Sequence, residues 1–302
     1  MTHHASSRTS IVLASCITAL AACGGDASSD LTRSPAMLTR IERTTERATM
    51  RTVELQDIHY SGSQLDLIAY SLDGAANGSV SFSYGEHGIT GVEYSDAEGN
   101  RETGQIMFDD GLVVHERYEI TGVRVDDVAL TYDPDQFGQL DEIATTTTFT
   151  SGAPNRVTMV RYEYDDAGRR TKMWWLDGPE IESVALEYAP DGKLNRATWM
   201  SATTALRTYV YSYTEDGRLK DSIGTNGGRF EVRYDDLGRI AQVRESWPEG
   251  TITENYEYAA GEIDGWTFSP NIPMASLFDM TGTSFSDTDL EHGSFGPYDI
   301  PG

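Results

Sequence analysis

The chain has 302 residues, with 48 acidic against 23 basic side chains, a net charge of −25, and two cysteines. A chain this acidic has no basic stripe with which to neutralise phosphates, so no nucleic acid partner is expected. It is long enough to bury a sizeable core, and with so few cysteines that core must supply the stability.

The N-terminus reads as a processing signal over residues 1–22. Arg8 is the lone basic residue of a short leader, and Ile11 to Ala22 form an apolar or small-residue run of 12. That is too short to span a bilayer and right for a signal-peptide core. The run ends in Leu20-Ala21-Ala22-Cys23, which resembles the lipobox of bacterial lipoproteins. The resemblance implies lipidation of Cys23, a palmitate-bearing anchor in the cell envelope, and membrane attachment through that cysteine. Several acyl chains on one thiol anchor firmly, at about 0.8 kcal/mol per buried methylene. Gly24 stands where an aspartate would favour inner-membrane retention in such proteins, so the outer membrane is the expected address. Cys16 is lost with the leader, and removal of Arg8 leaves 22 basic against 48 acidic residues. Residues 23–56 are expected to be the lipidated cysteine and a tether, beginning with the flexible GGDASSD and carrying one short helix over 31–56.

Residues 57–268 repeat one pattern. Tyrosines precede a turn at 60, 84, 132, 164, 188, 213, 234 and 258, with Phe108 in the remaining slot. The intervals are 24, 24, 24, 32, 24, 25, 21 and 24, which makes nine units with one insertion near TTTTFTSGAPN (145–155). A fixed period of this size marks a repeat architecture. Before each turn the residues alternate: Phe230, Val232 and Tyr234 point one way, Glu231 and Arg233 the other. The turns read DDAG, PDG, EDG and DDLG, with Asp bonding back to the backbone and Gly taking the left-handed exit. Arg169, Lys193, Arg218 and Arg239 follow those glycines and can pair with the acidic turn. The motif Tyr-Asp-x-x-Gly-Arg-Leu, best at 162–240, resembles the YD repeat of the RHS and teneurin-like family. That resemblance implies a long antiparallel sheet coiled into a shell.

The fold expected is therefore all-β: an antiparallel hairpin meander of about nine hairpins, coiled into a flattened barrel or two-layer shell. Some 18 strands exceed what an open twisted sheet supports, and no helix is available to cover the apolar face. The insertion at 145–155 is the expected point of layer change. Either 31–56 or the acidic tail 269–302 could cap an end.

Few residues suggest chemistry. Asp133 to Asp141 has the start of a calcium loop but Phe137 and Ala144 at ligand positions, so it reads as a hairpin turn. His59, His87, His115 and His292 have no metal spacing, and no nucleophile motif is present. No catalytic residue, metal or cofactor is expected, and the protein is read as a non-enzyme. Trp174 and Trp175 are neighbours on a strand, so one must face outward. With Trp199 they form the candidate ligand surface for an envelope protein or glycan. The function expected is a monomeric, membrane-anchored, non-enzymatic scaffold. The alternatives are a glycan-binding module, or an envelope glycan-acting enzyme with two carboxyls about 5–10 Å apart in a cleft.

Overall fold

The structure, a computed structural model, describes residues 36–133, 139–177, 180–201 and 204–260, apart from positions 49, 87 and 111. The leader, Cys23, the start of the tether and the tail 269–302 lie outside the described residues.

Strands follow one another in chain order. The first six are β1 (Ala36–Arg47), β2 (Met50–Ser61), β3 (Gln64–Leu72), β4 (Ala75–Gly85), β5 (Gly88–Asp96) and β6 (Arg101–Asp109). Next come β7 (Leu112–Ile120), β8 (Arg124–Tyr132), β9 (Leu140–Phe149), β10 (Arg156–Tyr164), β11 (Arg170–Asp177) and β12 (Glu180–Tyr188). The last are β13 (Leu194–Ser201), β14 (Thr204–Tyr213), β15 (Leu219–Gly224), β16 (Arg229–Tyr234), β17 (Ile240–Trp247) and β18 (Gly250–Ala260). Each pairs antiparallel with the next, and β1 pairs with β18 from Ala36↔Ala260 to Arg47↔Gly250, closing the barrel.

Closure corrects three expectations. Residues 36–56, expected as tether and helix, form β1 and the first part of β2, so the barrel begins well before residue 57. Thr145–Thr148 lie within β9, and pairing runs unbroken through Arg156↔Thr147, so the insertion is a longer hairpin loop and not a change of layer. The first and last strands cover each other, so no cap is needed for the sheet edges. The Asp133 segment joins β8 to β9 as a hairpin connection, held where the Asp133 N–H donates to the Gln139 carbonyl.

Each repeat bends the sheet in the same way. The ladder shifts by one residue at His59/Tyr60, Ser83/Tyr84, Met107/Phe108, Thr131/Tyr132, Glu163/Tyr164, Glu187/Tyr188, Ser212/Tyr213 and Arg233/Tyr234. A bulge raises local twist, and one per hairpin coils the whole meander. In the turns the glycine takes positive φ, as at Gly168 (76°), and its amide closes the turn on the Asp165 carbonyl at 2.9 Å.

The tyrosines of the repeat form a girdle at one end of the barrel. Their hydroxyls donate to a carbonyl in the preceding unit: Tyr60 to Leu38 (2.9 Å), Tyr84 to Leu65 (2.8 Å), Tyr132 to Val113 (2.8 Å) and Tyr164 to Leu140 (2.7 Å). The series continues with Tyr188 to Arg170 (2.7 Å), Tyr213 to Leu194 (2.7 Å), Tyr234 to Leu219 (2.9 Å) and Tyr258 to Ile240 (3.0 Å). Phe108 fills its slot with no hydroxyl. The basic residue after each turn glycine reaches forward over the next ring: Arg169 over Tyr188, Lys193 over Tyr213, Arg218 over Tyr234 and Arg239 over Tyr258, at 4.4 to 5.4 Å. The same side chains ion-pair with their own turn, as in Asp165–Arg169 and Asp235–Arg239. Each cation thus joins its own turn to the next unit's aromatic ring.

The interior is filled. Strands at ~4.8 Å spacing would make a round barrel of this size roughly 27 Å across, too wide for opposite side chains to meet. Yet Leu38, Ile41, Ile68, Val80, Val113, Val184 and Ala197 have 0% exposure, inside one continuous apolar cluster. Side chains with no exposure in one cluster require opposite walls at side-chain packing distance, so the cross-section is flattened. The outer face carries residues such as Arg51, Asp57 and His59 on β2 and Arg101, Thr103 and Gln105 on β6. This is the reverse of a pore-forming outer-membrane barrel, whose lipid face is apolar and whose lumen is polar.

The closing seam is ionic and buried. Arg43 on β1 lies directly opposite Glu54 on β2 and Glu254 on β18. Its Nε is 3.5 Å from a Glu254 oxygen; Gln56 donates to Glu54 at 2.9 Å and Tyr256 to Glu254 at 2.6 Å. Burial pushes the Glu54 carboxyl above its ordinary value, Arg43 pulls it down, and Glu254 raises it further. Arg43→Met would leave two buried carboxylates without their cation, so it should lower the unfolding free energy by about 3 kcal/mol. Glu54→Gln, which relieves the excess charge, should change it by no more than about 1 kcal/mol. Urea midpoints at pH 7 distinguish the two.

Burial pushes the hydroxyls of Tyr84, Tyr132, Tyr188, Tyr213 and Tyr234 up to about 12. The unfolded chain ionises its tyrosines near pH 10 while the folded girdle keeps its protons. Stability is therefore full below about pH 10 and lost as pH rises towards 12. In a titration followed at 295 nm, tyrosinate should appear in one cooperative step in that window, together with loss of the sheet signal. A gradual rise centred on pH 10 in a protein that stays folded would contradict the buried girdle.

Candidate binding surface

The three candidate tryptophans are divided between the two faces of the wall. Trp174 on β11 points outward and is half-buried. Trp175 points inward and packs against the core, as alternation requires. Trp199 on β13 is also inward and only 6% exposed. Its ring meets Tyr209 edge-on at 5.3 Å, and Arg207 lies over it at 5.1 Å. Gly224 makes room there, since a Cβ would fall 2.6 Å from the Tyr209 ring. Trp175 and Trp199 thus belong to the filling of the barrel, together with the Tyr70–Tyr94 edge contact at 6.5 Å. Trp174 is the member of the set that a ligand could meet from outside.

Around Trp174 the outer face is unusually apolar. Arg161, Trp174, Ser183, Met200 and Ala205 stand side by side across β10 to β14, and Met159 is paired with Leu176 in the next row. Val157 and Leu206, at 52% and 57% exposed, extend the patch. One cation belongs to it. The Lys172 ammonium lies 4.6 Å from the Trp174 ring centroid and has no carboxylate at ion-pair distance among the described residues. Arg161, by contrast, is held by Glu142 at 2.6 Å.

The surrounding charge is uneven. Residues 50–149, which form β2 to β9, hold 19 acidic and 4 basic side chains, net −15. Residues 156–247, which form β10 to β17, hold 15 acidic and 14 basic, net −1. The Trp174 patch therefore sits on the neutral wall of a strongly acidic protein. Alternation showed that one of the two tryptophans must face out, but not which one. The apolar row and the charge contrast need the strand order and register.

A second feature is a cleft of about 260 Å³ at the tyrosine end, lined by Asp133, Gln139, Asp141, Tyr162, Tyr164, Asp165 and Asp166. Hydrogen bonds from the Arg169 side chain and backbone hold the Asp165 carboxyl below its ordinary range. That carboxylate is engaged within its own turn. No group of three or more metal-ligating side chains occurs among the described residues.

Comparison with known proteins gives partial likenesses. No family model matches the chain. Over 107 residues it is 29% identical to the tRNA nuclease WapA of Bacillus subtilis strain 168, a match covering 35% of this chain and 4% of that protein. The tRNA3(Ser)-specific nuclease WapA of Bacillus spizizenii is 28% identical over the same length, again 4% of its own chain. The chain thus spans a small fraction of the curated relatives it matches. Among solved structures, a porin-like protein from Bacteroides uniformis aligns over 74% of this chain with TM-score 0.44 and 10% identity, covering 99% of that chain. The Photorhabdus luminescens Tc holotoxin pore aligns over 77% with TM-score 0.27 and 13% identity, covering 17% of that chain.

The division of the tryptophans has a direct energetic consequence. Trp199→Ala should destabilise the protein by about 3–5 kcal/mol, the cost of emptying a core aromatic site. Trp174→Ala should cost about 1 kcal/mol or less. Denaturant unfolding of the two variants checks this, and equal losses would place Trp174 in the core as well.

Proposed function

We propose that this protein is a non-enzymatic, lipid-anchored scaffold of the cell envelope, built from RHS-like repeats and tethered through Cys23. The observation that carries the reading is the barrel's polarity, with a packed apolar interior and a polar exterior. Such a body offers a surface and no conduit. Geometry supports the tether. Ala36 and Ala260 are paired, so both chain ends leave at the tyrosine end, and an anchor there would hold the opposite end away from the membrane. The acidic wall keeps the body clear of anionic headgroups. The WapA match, over about a third of the chain, supports the repeat resemblance.

A second reading is favoured by the Trp174 patch: a glycan-binding module in which sugar rings stack on Trp174 beside Lys172. In the aspartate cleft, a place where the enzyme alternative would need a free carboxylate, Asp165 is already bound to Arg169.

The first test is labelling with radioactive palmitate in a Gram-negative host, followed by membrane fractionation. The full chain should take up label and partition with the outer membrane, and Cys23→Ser should lose both. A full-length protein that stays unlabelled overturns the anchored reading. Titrating the lipid-free protein with cell-wall glycans tests the second reading, which requires a saturable fluorescence change that Trp174→Ala abolishes.

A further inference from the structure

The geometry points to an occupant for the outer Trp174 patch: we infer that the acidic C-terminal segment of this same chain docks there. The inference rests on the scaffold reading only in taking the outer wall as a binding surface, and it is independent of Cys23.

Three observations select this occupant. The first is composition. Residues 261–302 contain seven acidic side chains and no lysine or arginine, with Ile272, Met274, Leu277 and Phe278 clustered among them. Such a segment needs an apolar surface that does not repel it. The second is the charge map. The wall of β2 to β9 carries net −15, whereas that of β10 to β17 carries net −1. The tyrosine end, where the segment leaves β18, is itself rimmed by turn aspartates, among them Asp109, Asp110, Asp166 and Asp236. Repulsion therefore turns an acidic segment away from the end nearest to it. The third is the patch itself. Trp174, Leu176, Met159 and Met200 supply apolar area, and Lys172, whose cross-strand neighbour Glu163 does not come within ion-pair distance of it, supplies a cation beside them.

Reach is sufficient. Leu277 lies about 17 residues beyond Ala260, enough for roughly 55 Å of extended chain. Covalent attachment raises the segment's effective concentration at the patch to the millimolar range, so a weak contact suffices. A second copy of the chain is less suited, because its acidic wall and its own tail repel this one.

The test uses disulfide trapping in the full-length chain carrying Cys16→Ser and Cys23→Ser, so that the introduced thiols are its only two. Met200→Cys on the patch is combined with Leu277→Cys in the segment. The control combines Leu277→Cys with Ser81→Cys, which is exposed on β4 in the acidic wall. Under mild oxidation the first pair should form an intramolecular disulfide at least tenfold faster than the second. Adding Lys172→Glu to the first pair should slow it about fivefold. Equal rates for the two pairs overturn the inference, as do disulfide-linked dimers from the first pair, which would assign the patch to a second copy. Loss of palmitate labelling would overturn the anchored reading and leave this result untouched.

Discussion

The hydrogen bond from each repeat's tyrosine to a carbonyl in the unit before it is the contact on which the architecture depends. A β-hairpin alone is marginal in water. Here hairpins are stitched to their neighbours at one end by the ladder and, except at Phe108, by the hydroxyl; from Tyr188 to Tyr258 a guanidinium or ammonium that leaves its own turn to cover the next ring adds a third contact. A single such hydrogen bond contributes about 1 kcal/mol. Eight of them on one rim, interrupted at Phe108, give the meander a rigid edge about which the other end must organise. The bulge at the same tyrosine coils the sheet, so one residue type serves both cohesion and curvature.

Coiling brings the first strand against the last, and the chemistry changes there. Elsewhere the interior is mostly apolar, with charged side chains also buried at Glu116, Asp126 and Arg207. At the seam, Arg43 stands between Glu54 and Glu254, each carboxylate backed by a neutral donor from its own strand. An ion triad in a flattened, water-poor interior contributes little net stability, but it penalises any other register severely. A one-residue slip of β1 would turn Arg43 outward and leave two buried carboxylates behind. The seam thus specifies closure where the repeat, having run out of neighbours, cannot.

A filled, inverted barrel directs attention to its outside. The strands β2 to β9 and β10 to β17 differ sharply in net charge, and the apolar row at Trp174 lies on the near-neutral set. Nothing about the row is visible along one strand: Arg161, Trp174, Ser183, Met200 and Ala205 come from five strands and meet only through register.

The sequence by itself determined the strand period, the turn chemistry, the number of units and the need for the sheet to fold on itself, because each is local and repeats. It also required that Trp174 and Trp175 face opposite ways. It misread β1, because the bulge between Leu38 and Arg40 breaks the alternation and Thr, Arg and Glu dominate the segment. It misread Thr145–Thr148, because no tyrosine marks that strand. Only the tertiary structure decided that Trp199 is core, that β1 closes the ring on β18, and that Arg43 and Glu54 meet a Glu254 distant in sequence in one contact. Those facts depend on which strand lies beside which, and a local pattern carries alternation but not adjacency.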